Sequence, residues 1–534
     1  MQATTNASLF QTSYSEALGA YRARKAIHTS GLVTPASTST LDPAARYGYP
    51  IHLHPNFEAA VLNAPDELAV EGSGADGGRY RVLSMRVHDG YIWTSEAGGV
   101  VRQVDAESGK TVAVYRGAKA PVPAFDFVVT AAGEQLLITG SWDKALRVYR
   151  VVAPSGDKAA THDPVQVVPD AMVDFIKCVH VFTSSGNTYI ATAGSDKSIM
   201  LWDATPLLSS CFDQPLRCLH QSKAHTRPIN ALASLIALDG TTRVYSADSM
   251  GRVLEHTLSS ADRLQVVREI QGFTTAVYDL RVGWAREEVE GDTAAGAGDA
   301  FVSEVHEEDD GTRYKRVAEL WAASGDKSAA GYRLSPLLQP PSPIPSSRTT
   351  SHAPLGTQPP LTHAHARLAH TDFVKTVLAL HLSLPSSTVV TGGSDEHIHV
   401  FPSPSSPPSH IEAHWHELTA LSLYLRPHTA YTPASTLPAP TTAASETWIV
   451  SASLDGSVRR FNLDTIASLP APQLVRPSVG VRAQGRAEQW DQYSLPPASA
   501  AKLAGEDTVV GGKGVKMTAE EEAELAELMD SDDE

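Results

Sequence analysis

The sequence predicts an all-β fold: a single seven-bladed β-propeller of four-stranded antiparallel blades, with disordered loop insertions and tails. Three observations carry this expectation. A hairpin pattern, read most fully in residues 192–203, returns in 139–149, 391–401 and 451–461, and more loosely in 322–332. In all five copies an aromatic follows the turn aspartate by six residues: Asp143 and Tyr149, Asp196 and Trp202, Asp326 and Tyr332, Asp395 and Phe401, Asp455 and Phe461. Continuing the register along the chain gives seven turn positions, at Gly98, Asp143, Asp196, Met250, Asp326, Asp395 and Asp455.

Each element has its own local reason. Gly194, Ser195 and Asp196 suit a tight turn, because glycine tolerates positive φ and short polar side chains bond nearby amides. Ile199, Met200, Leu201 and Trp202 then form an apolar run, as a strand buried on both faces requires. In the first blade, residues 80–87 alternate apolar and polar, and 91–94, 100–104 and 111–115 supply three more strands. Turn-to-turn spacings of 45 to 76 residues exceed the roughly 40–45 of a minimal blade, so insertions are required. Residues 67–71 are expected to supply the outer strand of blade seven, hiding the edge that an unclosed ring exposes.

Bulk properties narrow the function. The 534 residues contain no apolar run of the roughly 18 residues a membrane helix needs. The first residues lack a basic region followed by an apolar segment, so no secretory signal is expected. Cys178, Cys211 and Cys218 show no paired spacing and read as reduced thiols of a cytoplasmic or nuclear protein. A net charge of −17 argues against direct nucleic-acid binding, which rests on clustered lysine and arginine.

On these residues the chain resembles the WD-repeat family of β-propellers over about residues 67–465. Trp202-Asp203 is the family's signature pair, and His225, His370 and His414 each follow an alanine where the family usually has Gly-His. The resemblance implies a network of Trp, Ser or Thr, His and the turn Asp within each blade. It matches His370, Thr391 and Asp395 in blade six, with Phe401 in place of Trp. It matches His414, Ser451 and Asp455 in blade seven, with Phe461. Blade three offers Thr192, Asp196 and Trp202 without a histidine. Blade one (Gly98, Val104) and blade four (Met250, His256) depart at both the Asp and the aromatic position. Since phenylalanine has no N–H donor, apolar packing is expected to hold most blades. Asp143, Asp326 and the other turn aspartates are read as structural.

The organisation expected is an irregular arm over 1–65, a propeller over 66–465, a Pro/Ala/Gly-rich linker over 466–517 and an acidic helical tail over 518–534. Insertions at 284–316, 335–360, 402–409 and 427–446 are expected to be disordered by composition. All four fall in first or third connections of their blades and so share one end of the ring. The other end, with tight turns and blade links, carries Trp142, Trp415, Lys144, Lys197, Arg227, Phe373, Glu396 and Glu417. A tryptophan in a turn either covers a neighbouring loop or anchors an interface. The tail has Thr518 and Glu521 as a capping box, then Leu525, Leu528 and Met529 at helical spacing among nine acids from Glu520 to Glu534. It reads as a docking motif for a basic partner, or as a solvating segment, and Ser531 before Asp532-Asp533-Glu534 suits an acidophilic kinase.

No catalytic motif is present. The pairs His363 and His365, His397 and His399, and His414 and His416 put two rings on one strand face, but lack the further ligands zinc needs. No metal or cofactor is assigned, and the Gly-rich 511–514 lacks phosphate-loop spacing. The expected function is a non-enzymatic protein-interaction scaffold using the face free of insertions. The alternatives are a substrate receptor of a cullin-type ubiquitin ligase, for which Trp202-Asp-Ala-Thr205 lacks the expected arginine, and a ribosome or RNA-particle assembly factor.

Overall fold

Short runs rich in Val, Ile, Ala and aromatic residues pair with their chain neighbours to give seven antiparallel sheets. The computed structural model describes residues 48–51, 53–54, 77–153, 159–209, 212, 214–289, 299–308, 311–335, 356–384, 386–412, 414–440 and 445–468. These belong to the first of two compact units, Met1–Ser478; the second, Val479–Glu534, lies outside the described residues, as do Leu525, Leu528, Met529 and Ser531. Among the described residues no helix is long and apolar enough to cross a membrane.

Blade one is built from Val82–His88, Tyr91–Glu96, Val101–Asp105 and Thr111–Tyr115, innermost strand first. Blade three uses Ile176–Ser184, Asn187–Gly194, Ile199–Asp203 and Arg217–Ser222, and blade four uses Ile229–Ile236, Thr242–Asp248, Val253–Leu258 and Leu264–Ile270. The inner strands contact one another in sequence order around the ring, and that of blade seven, Leu418–Arg426, meets that of blade one. Both faces of every sheet are covered, which is why the strands are apolar runs rather than clean alternations. The core accordingly divides into seven apolar clusters, one between each pair of neighbouring blades.

The seven turn positions read from the sequence keep one conformation. The residue after each has a positive φ: Gly99, Lys144, Lys197, Gly251, Lys327, Glu396 and Gly456, at 78°, 67°, 66°, 82°, 64°, 66° and 78°. Three blades use glycine there. The other four hold a side chain in the left-handed region, at about 1 kcal/mol or more each.

Closure differs from the expectation. The outer strand of blade seven is Tyr49–Ile51, paired antiparallel with Val458–Asn462, while 67–71 lie outside the described residues. Three residues of pairing are reinforced by a buried polar seam. Arg426, fully buried, donates to Glu107 of blade one at 2.8 and 2.9 Å and to Glu446 at 3.0 Å. Arg460 donates to the Ala106 carbonyl at 2.5 Å and to the Thr436 hydroxyl at 2.7 Å.

The insertions also differ. Residues 284–316 contain the continuation of a long hairpin, Val277–Glu288 with Arg313–Ser324, and Phe301 and Val302 are buried against it. Arg243 and Arg268 flank the Phe301 ring at 5.7 and 5.4 Å. In 427–446, Leu437 is buried and Ser435 donates to Glu107 at 2.6 Å. Residues 402–409 close through Ser403 and Ser406 hydroxyls 2.7 Å apart. Insertions also cover the outer edge of the preceding blade: Ala160–His162 pairs parallel to Thr111–Tyr115, and Leu361 bridges Ile270. Acidic and Pro/Ser-rich composition hid these backbone pairings. Residues 290–298, 309–310, 336–355 and 441–444 lie outside the described residues.

Candidate interaction face

The turn aspartates support the uninserted face from beneath. Asp143, Asp196, Asp326, Asp395 and Asp455 each accept the amide two residues on, at 3.2, 3.0, 3.1, 3.2 and 2.8 Å. The second carboxylate oxygen separates the blades. In blade seven His414 bridges Asp455 at 3.0 Å and Ser451 at 2.8 Å. Burial opposes ionisation of Asp455, yet His414, the Ser457 hydroxyl and the Ser457 amide hold its carboxyl well below the usual range. In blade two Arg147 takes the histidine's place, clasping Asp143 at 2.9 and 2.6 Å. In blade five Arg367 lies 3.5 Å from Asp326.

Blade four corrects the sequence reading. Asp248, two positions before Met250, accepts the amides of Met250 and Arg252 at 2.9 and 3.0 Å. Its other oxygen meets His225 at 2.9 Å, His225 meets Ser246 at 2.7 Å, and Ser246 meets His256 at 2.8 Å. The contacts therefore run unbroken from Asp248 to His256, which stands where Trp202 stands in blade three, while His256 Nδ1 is buried with no partner among the described residues. Burial pushes His256 down to about 3, and the neighbouring His225 adds to the effect. In blade three Trp202 donates to Thr192 at 3.0 Å, but Asp196 Oδ2 is buried with no hydrogen-bond partner among the described residues.

Blade six assembles differently from the matched set. His370 meets Thr391 at 3.3 Å, but Asp395 pairs with His399 at 2.5 Å. Burial lowers His370 to about 3 and His410 to about 4, in each case helped by His399; burial opposes ionisation of Asp395, but His399 and His397 together bring it down to about 2.

Above these networks the face carries exposed apolar side chains. Trp142 is 37% exposed and stacks on Phe175 of the next blade link, ring centroids 5.6 Å apart and 21° from parallel. Val173 beside it is 77% exposed, Met250 at the blade-four turn 56% and Phe373 39%. Lys375 sits 3.9 Å over the Tyr278 ring and 3.7 Å from Glu417. Lys197 and Arg227 are exposed, Lys144 and Trp415 half-buried. Glu396 lies at the turn but is buried at 5%, so it presents little charge. Val173 and Lys375 were not singled out from sequence, and Met250 was singled out only as a turn position. Met250 had been assigned to the turn aspartate's place, and exposure leaves no periodic signal.

Two other polar features occupy different places. Across the inner strands Arg86 donates to Asp126 at 2.5 Å, His180 lies 3.3 Å from Asp126, and Ser234 is 2.8 Å from His180. At the inserted end a cavity of about 620 Å³ between blades five and six is lined by Glu319, His365, His381 and Arg333 among others.

The family described as "WD domain, G-beta repeat" matches residues 168–203, which are the approach to blade three and its first three strands. An uncharacterized WD repeat-containing protein of Schizosaccharomyces pombe is 23% identical over 143 residues, 26% of this chain and 34% of that protein. The match thus spans about a third of that relative's length. Among solved structures, the computationally designed Ika8 protein aligns at 13% identity and a TM-score of 0.41, over 72% of this chain and 83% of that one. With seven sheets in one ring and one turn register, the chain is a seven-bladed β-propeller, and its third blade matches the WD-repeat family.

Proposed function

We propose that the protein is a non-enzymatic scaffold of the cytoplasm or nucleus that binds another protein through the propeller face free of insertions. WD-repeat propellers typically bind other proteins and are generally non-enzymatic. The observation that carries the choice of face is the set of exposed apolar side chains on otherwise tight turns and links: Trp142 stacked on Phe175, Val173 in the same link, Met250 at the blade-four turn and Phe373 in the link before blade six. Aromatic side chains prepositioned by stacking lose little entropy on binding and are over-represented among interface anchors. Lys375 beside Glu417 supplies a polar rim.

The test is affinity purification of the full chain carrying Trp142→Ala with Phe373→Ser, against Ile236→Ser with Leu425→Ser at the inserted end. Both pairs should melt with the wild type. The first should lose its partner and the second retain it; the reverse pattern would overturn the assignment. Deleting residues 518–534 in parallel separates the contribution of the acidic tail from that of the face.

A further inference from the structure

Blade six gathers more imidazoles than hydrogen bonding uses. His370 comes from the link before the inner strand, His397 and His399 from His397–Phe401, and His410 from the outer strand Ser409–Glu412. His397 turns its Nδ1 to the Asp395 carbonyl at 2.5 Å. The other three rings close on one another. His370 and His399 have centroids 4.6 Å apart at 85°, and His399 and His410 lie 4.3 Å apart at 76°. The ligand atoms of His370, Asp395 and His399 all lie within 4.8 Å of one another.

A neutral imidazole carries one N–H and one lone pair. Around this cluster, His370 meets one hydroxyl and His399 one carboxylate oxygen. His399 is 96% buried (4% exposed), and its Nδ1 has no hydrogen-bond partner among the described residues. Blade seven shows the contrast: a single histidine, His414, uses both nitrogens on Asp455 and Ser451. Blade six thus has a buried nitrogen left over, two imidazoles and a carboxylate at ligand spacing, and a fourth nitrogen donor beside them.

We propose that His370, Asp395 and His399 form a binding site for a divalent transition-metal ion of zinc type, with His410 or solvent completing the coordination. Two imidazoles and one carboxylate are a donor set that zinc accepts, and bonds of about 2.0–2.2 Å at tetrahedral angles put neighbouring donors about 3.3 Å apart. The present spread brackets that spacing, so side-chain rotations suffice, with Asp395 and His399 moving apart from their direct bond. The ion would pin the blade link at His370 to the turn at Asp395 and the strand at His399. That is the work Trp202 shares in blade three and Phe401, which has no N–H, cannot do.

The full chain, freed of any affinity tag, is stripped with a chelator, equilibrated with zinc and assayed for bound metal. The expected result is about one zinc per chain, with a melting temperature raised by zinc, as binding to the folded state alone requires. His399→Asn and His370→Gln should each abolish both effects, while His416→Asn should leave them intact. Cobalt substituted for zinc gives a second readout that needs no variant: a strong visible absorption reports four-coordination in a closed site. Zinc held equally by His399→Asn would mean surface histidines bind it adventitiously. That result, no binding at all, or a weak six-coordinate cobalt spectrum overturns the proposal.

Discussion

Blades three and four invert the expectation that the best-matched repeat is the best-bonded one. Blade three carries the signature Trp202-Asp203 and the family match, yet Asp196 keeps one buried oxygen without a partner among the described residues. Blade four lacks both Asp and Trp at the matched positions. It nonetheless closes an unbroken chain from Asp248 through His225 and Ser246 to His256. The carboxylate can start two residues earlier and still reach the same turn amides, because the strand end and the turn fold back on one another. What recurs is therefore a carboxylate on the turn amides, not the sequence position that usually supplies it, and in blade four His256 Nδ1 is left buried without a partner among the described residues.

The comparison breaks most readily at the two aspartates. Asp248→Ala removes the bonds to His225 and to the Met250 and Arg252 amides and leaves buried donors unmatched, so about 3 kcal/mol is expected. Asp196→Ala removes a bond to the Ser198 amide and an oxygen that had no partner, so about 1 kcal/mol is expected. Urea unfolding of the two variants measures both, and equal losses would contradict the contrast.

Acid should act on blade four next. His256 titrates at about 3 in the folded chain and near 6.5 when unfolded, so on acidification the unfolded chain takes up the proton first. The stability from holding it neutral is present above about pH 6.5 and is lost as pH falls. It should cost about 2 kcal/mol at pH 5. His370 adds a loss in the same window. Asp455 adds its own only below its unfolded value of 3.8. Replacing His256 by Phe should shrink the stability difference between pH 7 and pH 5 by that 2 kcal/mol, read from urea midpoints; an unchanged difference would remove His256 as the cause.

A smaller effect separates the two turns. Gly251 has φ of 82°, and a Cβ there would meet the Phe273 and Thr275 carbonyls at 2.8 Å, so Gly251→Ala should cost about 1–3 kcal/mol. Lys197 already holds a side chain at φ 66°, so Lys197→Ala should change stability by less than about 0.5 kcal/mol. Thermal melts of the pair decide it.

Much of the architecture was legible because turn register survives degeneracy: all seven positions counted from the hairpin repeat precede a left-handed residue. The closing strand was not, since Tyr49–Ile51 is three residues long and its hold comes from pairing with Val458–Arg460 and from Ile51 in the apolar cluster between blades seven and one, far along the chain. The hairpin at Val277–Glu288 was missed because charged residues on its outer half read as a polar loop. At the candidate face, Trp142 and Phe373 were visible as apolar residues in turns. Met250 was read only as a departure from the turn aspartate, and the burial of Glu396 depends on neighbours no local pattern encodes.

The central claim is that the blade networks hold the turns while the outward side chains of those turns meet the partner. One blade tests it at both ends. Met250 at the uninserted end is 56% exposed and Leu238 at the inserted end 53%, so a photo-reactive residue at either place samples solvent equally. Crosslinking in cells should join a protein partner to the chain from position 250 and not from 238. The same product from 238 alone would contradict the account.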